Sequence, residues 1–307
     1  MLQFDVYSWL PDDPPVCISP GDGAYLQSCI QPQGGHALFW GGAKGPPRIW
    51  RADLDGNECI PITAGQSGAR QPSYSMDGKR IVFVSDGGVK QFPETVETIF
   101  RENATGPMRR DLILHIFTMN PDGSDVRQIT DGPVQDLRPS FSPDGKTICF
   151  FSIRGGSAGL WLVAADGKSQ PYKIKADVTL YRPVWSLDGK RIYGFYILSN
   201  ERHQVGWIDP VNGKWTALEN DNAGQTRSPV PDPTQDALLA HSNHDGIWRI
   251  CEIPLDGKTP MRFLFPKGFE NATCVHPSRA VNGVMTFGST SMETVLRFGS
   301  GYASHNY

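Results

Sequence analysis

The sequence contains no run of roughly 18 apolar residues, the least that a membrane-spanning helix needs, so insertion in a membrane is not expected. It has no Lys/Arg-rich run and no aromatic RNA-binding motif, and its net charge is only −3, which excludes nucleic acid as an expected partner. Met1-Leu2-Gln3-Phe4-Asp5 offers neither a basic start nor an apolar core for a secretory signal, so the expected location is cytoplasmic. The six cysteines (Cys17, Cys29, Cys59, Cys149, Cys251, Cys274) show no C-x-x-C spacing, and Cys149 sits in a β-rich run where a small buried thiol is expected. A disulfide framework is therefore not expected, and a reducing compartment fits better.

What the chain does have is a repeated phrase. Gln71-Pro72-Ser73-Tyr74-Ser75-Met76-Asp77-Gly78-Lys79 returns as Arg138-Pro139-Ser140-Phe141-Ser142-Pro143-Asp144-Gly145-Lys146 and as Arg182-Pro183-Val184-Trp185-Ser186-Leu187-Asp188-Gly189-Lys190. Each copy precedes a β-rich run, so Asp-Gly reads as the turn of a hairpin, both residues tolerating positive φ. A third strand opens on an aromatic residue (Trp50, Phe117, Trp161, Trp207) and ends at a further Asp-Gly or Asn-Gly, and a fourth strand follows. Pro139 to Pro183 is 44 positions and Pro183 to Pro229 is 46, within the roughly 40 to 50 residues of a four-stranded propeller unit.

With degenerate copies counted, units begin near Gln27, Arg70, Arg138, Arg182, Arg227 and Asn271. The expected fold is all-β: a six-bladed β-propeller of four-stranded antiparallel blades, one domain over 1–307. The last unit supplies three strands, ending with Thr294 to Phe298, and the N-terminal strand Phe4–Trp9 is expected to add the missing outer one and close the ring. Pro72 to Pro139 is 67 positions, which places a blade-two insertion at about 87–110 and reads as a tolerated surface loop.

The Pro-Ser-Phe-Ser-Pro-Asp-Gly-Lys phrase, best in Arg138 to Lys146, resembles the TolB-type, WD40-like (PD40) propeller repeat, from about Gln27 to Phe287. The resemblance implies the fold more than a function, because similar repeats serve the TolB partner protein, propellers joined to peptidase domains, and oligogalacturonate lyases. Gly155-Gly156-Ser157-Ala158-Gly159 fits G-x-S-x-G literally, but a nucleophile elbow needs a helix after the serine, and here strands flank it, so a serine hydrolase is not expected.

On a repeat scaffold, function is expected where the repeats differ, at the end opposite the Asp-Gly turns. There Arg70, Arg138, Arg182 and Arg227 begin the innermost strands, and Arg154 joins them from a loop. Converging near the channel mouth, such guanidinium forks would bind a carboxylate, sulfate or phosphate; the alternative is that each pairs with an acid of the same loop layer, such as Asp131 or Asp136. A second cluster holds Asn243, His244 and Asp245, with His244 a candidate acid or base oriented by Asp245; Tyr181, adjacent to Arg182 near the same rim, is the other candidate to move a proton. His36 and His276 are expected near the Asp-Gly end, away from the site. His241, His244 and His203 form no recognisable three-ligand set, so no metal is assigned and the cofactor is left unknown. The expected function is binding of an anionic or polar small molecule, such as a carboxylate-bearing saccharide. The alternatives are a lyase or isomerase acting in the same pocket, for example by uronide β-elimination, and a protein-docking scaffold.

Overall fold

The computed structural model describes residues 4–65, 67–88, 112–199, 202–218, 224–244, 246–270 and 272–290. Among them there is no α-helix, and the only helical element is a single 3₁₀ turn, Arg154–Gly156. The strands run β1 Phe4–Trp9, β2 Val16–Cys17, β3 Ala24–Ile30, β4 His36–Gly42, β5 Arg48–Asp53, β6 Cys59–Pro61, β7 Ala69–Tyr74 and β8 Ile81–Ser85. They continue with β9 His115–Met119, β10 Arg127–Gln128, β11 Asp136–Phe141, β12 Thr147–Ser152, β13 Gly159–Ala164, β14 Tyr172–Lys173, β15 Tyr181–Trp185 and β16 Ile192–Ile197. The last are β17 His203–Ile208, β18 Trp215–Ala217, β19 Thr226–Pro231, β20 Ala237–Ser242, β21 Arg249–Pro254, β22 Arg262–Phe263, β23 Cys274–Arg279 and β24 Met285–Thr290.

Four antiparallel four-stranded meanders follow one another along the chain: β7–β10, β11–β14, β15–β18 and β19–β22. The other strands join in one larger sheet, of order β23-β24-β1-β3-β4-β5-β6, with β2 against β1. This is an all-β propeller of antiparallel four-stranded blades. In the larger sheet β1 is antiparallel to β24 along its whole length, from Phe4 opposite Thr290 to Trp9 opposite Met285. It therefore stands next to the second strand of its unit, the place the repeat pattern reserved for Thr294 to Phe298, and β2 lies outside it. Residues 294–298 are outside the described residues, as is the expected insertion apart from Gly87 and Gly88.

The hairpin phrase works as a self-contained turn. In the third copy of the unit Ser142 Oγ donates to Asp144 (2.6 Å), while the amides of Lys146 and Thr147 donate to Asp144 and to Ser142 Oγ. Gly145 takes φ +70° to let the chain turn back. Ser75 with Asp77 and Ser186 with Asp188 repeat the arrangement, and in all three the serine hydroxyl is the main reason that the aspartate is held below its ordinary pKa. The apolar core lies between consecutive sheets rather than within one. Val82, Val84 and Ile116 pack on Phe141, Ile148 and Phe150, and Cys149, Leu160 and Leu162 pack on Trp185, Ile192 and Ile208. Cys149 is wholly buried there, as a small apolar side chain should be. The first strands of the four meanders, β7, β11, β15 and β19, together with β3 and β23 of the larger sheet, face one axial space and are the innermost strands.

Candidate functional site

Each innermost strand breaks register once against its partner, between Leu26 and Cys29, Arg70 and Ser73, Leu137 and Ser140, Tyr181 and Val184, Arg227 and Val230, and Val275 and Ser278. One extra residue is accommodated at each break, which is a β-bulge. The residues that absorb it are Gln27, Gln71, Arg138, Arg182, Ser228 and His276, all left-handed with φ between 48° and 56°. Only Asp12 and Asp125 share that backbone state among the other described non-glycine residues. A left-handed L-residue costs roughly 1–2 kcal/mol, so the same strain six times over marks a device and not an accident. Its effect is to turn these side chains off their sheets and into contact across the axis.

The contacts link different sheets, two of them between consecutive innermost strands and two between strands one further apart. Arg138 Nη1 donates to Gln27 Oε1 of β3, and its backbone amide donates to Gln71 Oε1 of β7 at 2.8 Å. Arg182 Nη1 donates to Ser228 Oγ of β19 at 2.5 Å and lies 3.0 Å from His276 Nδ1 of β23. Since a guanidinium only donates, His276 must accept through Nδ1 and is neutral. The same logic holds behind the ring, where Arg227 Nε donates to His203 Nδ1 (3.1 Å) and the His276 amide donates to His241 Nδ1 (3.3 Å).

The group is electrostatically unbalanced. Burial, then Arg70, pushes Arg138 down to about 9; burial, then Arg138 and Arg227, pushes Arg182 well below the usual arginine range. Burial and the surrounding arginines depress His203 to about 4 and hold His241 and His276 well below the histidine range. An arginine keeps its proton inside a protein, so these shifts express how short of negative charge the site is.

Arg138, Arg182, Gln27, Ser228 and His276 border an axial cavity of about 240 Å³, and no described aspartate or glutamate lines it. The cavity runs toward the Asp-Gly turns, with Met76, Leu187 and Val281 exposed at its mouth. This reverses the expected end: the turns read as purely structural rim the cavity.

The predicted residues therefore separate. Arg138 and Arg182 line the cavity; Arg70, Arg154, Arg227 and Asn243 do not. Arg70 and Arg227 precede their bulges by one residue. Arg70 is buried near Asp86, whose charge opposes the lowering of its pKa, and Arg227 bonds His203 and Gln225 and stacks on Trp248 (4.9 Å). Arg154 grips Asp136 with two nitrogens (3.1 and 2.6 Å) and donates to the Asp131 carbonyl, the loop-layer pairing that was the alternative for these arginines. Asn243 exchanges bonds with the Gln225 backbone. Tyr181 is sandwiched between Phe151 and Phe195. His244 is exposed, its ring 6.3 Å from that of Phe263 of the outermost strand and outside the cavity lining, and Asp245 is outside the described residues. His276, discounted from sequence, is instead in the ring. Gln27, Gln71, Ser228 and His276 went unrecognised, although at five of the six bulges the left-handed residue is the one directly before a proline. Ser157 follows the 3₁₀ turn in extended conformation and leads into β13 with no helix after it, while its hydroxyl accepts from Lys173 Nζ (2.6 Å).

The TolB beta propeller domain matches residues 102–275, more than half of the chain. The chain belongs to the TolB β-propeller family. A TolB homolog from Chlorobium luteolum is 26% identical over 151 residues, covering 42% of this chain and 34% of that protein, so this propeller spans about a third of that curated relative. Among solved structures, one from Agrobacterium tumefaciens described as TolB superposes with a TM-score of 0.69 at 15% identity, over 94% of this chain and 98% of that one. TolB from Acinetobacter baumannii gives 0.62 at 19% identity, over 85% and 63%. At those identities the likeness of this TolB-family propeller to both structures is one of fold. No described helix is long and apolar enough to cross a membrane, and no described group of three or more His, Cys, Asp or Glu is arranged to hold a metal ion.

Proposed function

We propose that this TolB-family propeller binds a small anion in its axial cavity, with Arg138 and Arg182 as the recognition groups. The observation that carries the reading is that both guanidiniums reach the cavity and, among the described residues, have only neutral side-chain partners, Gln27, Ser228 and His276. Buried charges are ordinarily paired, so a site built this way is completed by an anionic ligand. A melting-temperature screen against carboxylates, phosphate and sulfate tests it, because a ligand of the folded state raises the midpoint by mass action. A stabilising anion whose effect disappears in Arg138→Gln and Arg182→Gln supports the reading. If no anion stabilises the wild type, it fails.

The same reading takes the larger sheet as two blades, β3–β6 and β23-β24-β1-β2, for six in all with an N-terminal strand closing the ring. The one parallel contact between β1 and β3 is a single pair, Phe4 with Ala24, like the isolated parallel bridge from Leu114 to Gln135 between two successive blades. Val6 and Ile18 also pack on Tyr25, Ala37 and Phe39 across that contact, as facing blades do elsewhere. A protein-docking role is the second reading, and the exposed Leu187 and Val281 beside the cavity favour it. A partner that binds wild type and Arg182→Gln equally would select docking over anion binding.

A further inference from the structure

The axial cavity has a floor and a collar of opposite character. Pro32, Met76, Pro143, Leu187, Pro233 and Val281 all line it, and each comes from the turn between the first and second strands of its unit. Six different turns thus present an apolar side chain at one ring position. Deeper in, Pro72, Pro139, Pro183, Pro229 and Pro277 line the wall, each directly after a bulged residue.

Ser140, Ser186 and Ser278 on the same wall already have protein partners, while Trp185 Nε1 is buried without one among the described residues. Ser140 Oγ accepts the Trp185 amide (3.5 Å) and Ser278 Oγ accepts the Ile30 amide (3.2 Å). Ser186 Oγ donates to Asp188 and accepts the Arg191 amide, and Arg279 is paired with Asp232. A ligand in the cavity meets positive charge at one end and mainly hydrocarbon along its sides.

We infer that the ligand class of this site is an organic anion with an apolar body, such as an aryl or short-chain acyl carboxylate, its carboxylate on Arg182 and Arg138 and its hydrocarbon within the proline wall and turn collar. This rests on the axial-anion reading and narrows it. An acidic saccharide would bring hydroxyl groups to a wall whose serines are engaged, and each hydroxyl desolvated without a partner weakens binding. An aryl or alkyl body instead gains from every apolar contact. The cavity, at about 240 Å³, lies below the ~300–1,000 Å³ of drug-sized ligand sites, which suits a small molecule of this kind.

The test is isothermal titration of the full chain with benzoate, hexanoate, galacturonate, inorganic phosphate and uncharged benzamide. Benzoate or hexanoate is expected to bind at least about tenfold more tightly than galacturonate or phosphate, the difference that burying one ring or a few methylenes provides, and benzamide is expected not to bind. Arg182→Gln should abolish carboxylate binding. The double variant Met76→Ser, Leu187→Ser changes only exposed collar positions and should weaken benzoate several-fold while leaving phosphate unchanged. Galacturonate binding more tightly than benzoate, with Arg182→Gln still abolishing it, overturns the apolar class and leaves the anion site standing. Equal binding of benzamide and benzoate overturns both, as does binding that Arg182→Gln leaves unaltered. If none of the four anions binds, both are overturned as well.

Discussion

Arg182 Nη1 and His276 Nδ1 lie 3.0 Å apart although 94 residues separate them in the chain, and the contact exists only because both residues sit on a left-handed bulge of an innermost strand. It couples a cation that has no counter-charge among the described residues to an imidazole that must stay neutral. Much of the behaviour of the site follows from that relationship.

Replacing Arg182 by Gln removes a desolvated charge whose main electrostatic neighbours, Arg138 and Arg227, are themselves cationic. The variant is expected to be more stable than wild type by about 0.5–2 kcal/mol, the usual range where function is held at the expense of stability. Equilibrium denaturation in urea checks this; a loss of stability would mean that the bonds to Ser228 and His276 outweigh the repulsion.

Stability should also fall as the solution is acidified from about neutral. His203 titrates near 6.5 when unfolded and about 4 when folded, and His241 and His276 are depressed in the same direction. Between those values the unfolded chain binds protons that the folded one refuses, so folding weakens as pH drops through 6.5 and the loss is complete below about 4 for His203. Melting temperature measured from pH 7.5 to 4.5 should show the decline, and His203→Gln should flatten part of it. An unchanged slope in that variant would refute the assignment.

Arg154→Ala is expected to cost about 3 kcal/mol or more, because it strands the fully buried Asp136 without its charged partner. It should leave anion binding as it was. Chemical denaturation and ligand titration on one preparation separate the two, and a loss of affinity at unchanged stability would return Arg154 to the site.

Gly145→Ala tests the hairpin phrase itself. A Cβ at this position meets nothing within 4 Å, so the penalty is purely that of φ +70° in an L-residue, about 1 kcal/mol. A shift in denaturation midpoint well beyond that would mean the turn does more than reverse the chain.

The repeat was legible because its information is local. A Ser-x-Asp-Gly-Lys turn satisfies its own hydrogen bonds within six residues, so the strands, the blade period and the propeller class follow from short-range chemistry written into residues such as Ser142, Asp144 and Gly145. Arg138 and Arg182 could be picked out for the same reason, being tied to the repeat proline. The rest of the site depended on tertiary structure. A one-residue bulge decides whether a side chain faces the axis or the neighbouring sheet, and so Ser228 reaches the ring while Arg227 does not. His276 became a site residue only when β23 came to lie in one sheet with β1 and β3, bringing it to Arg182 across the axis. The Asp-Gly end, interchangeable in sequence, acquired its collar because six ordinary turns converge around one cavity, a property of the ring that no single repeat contains.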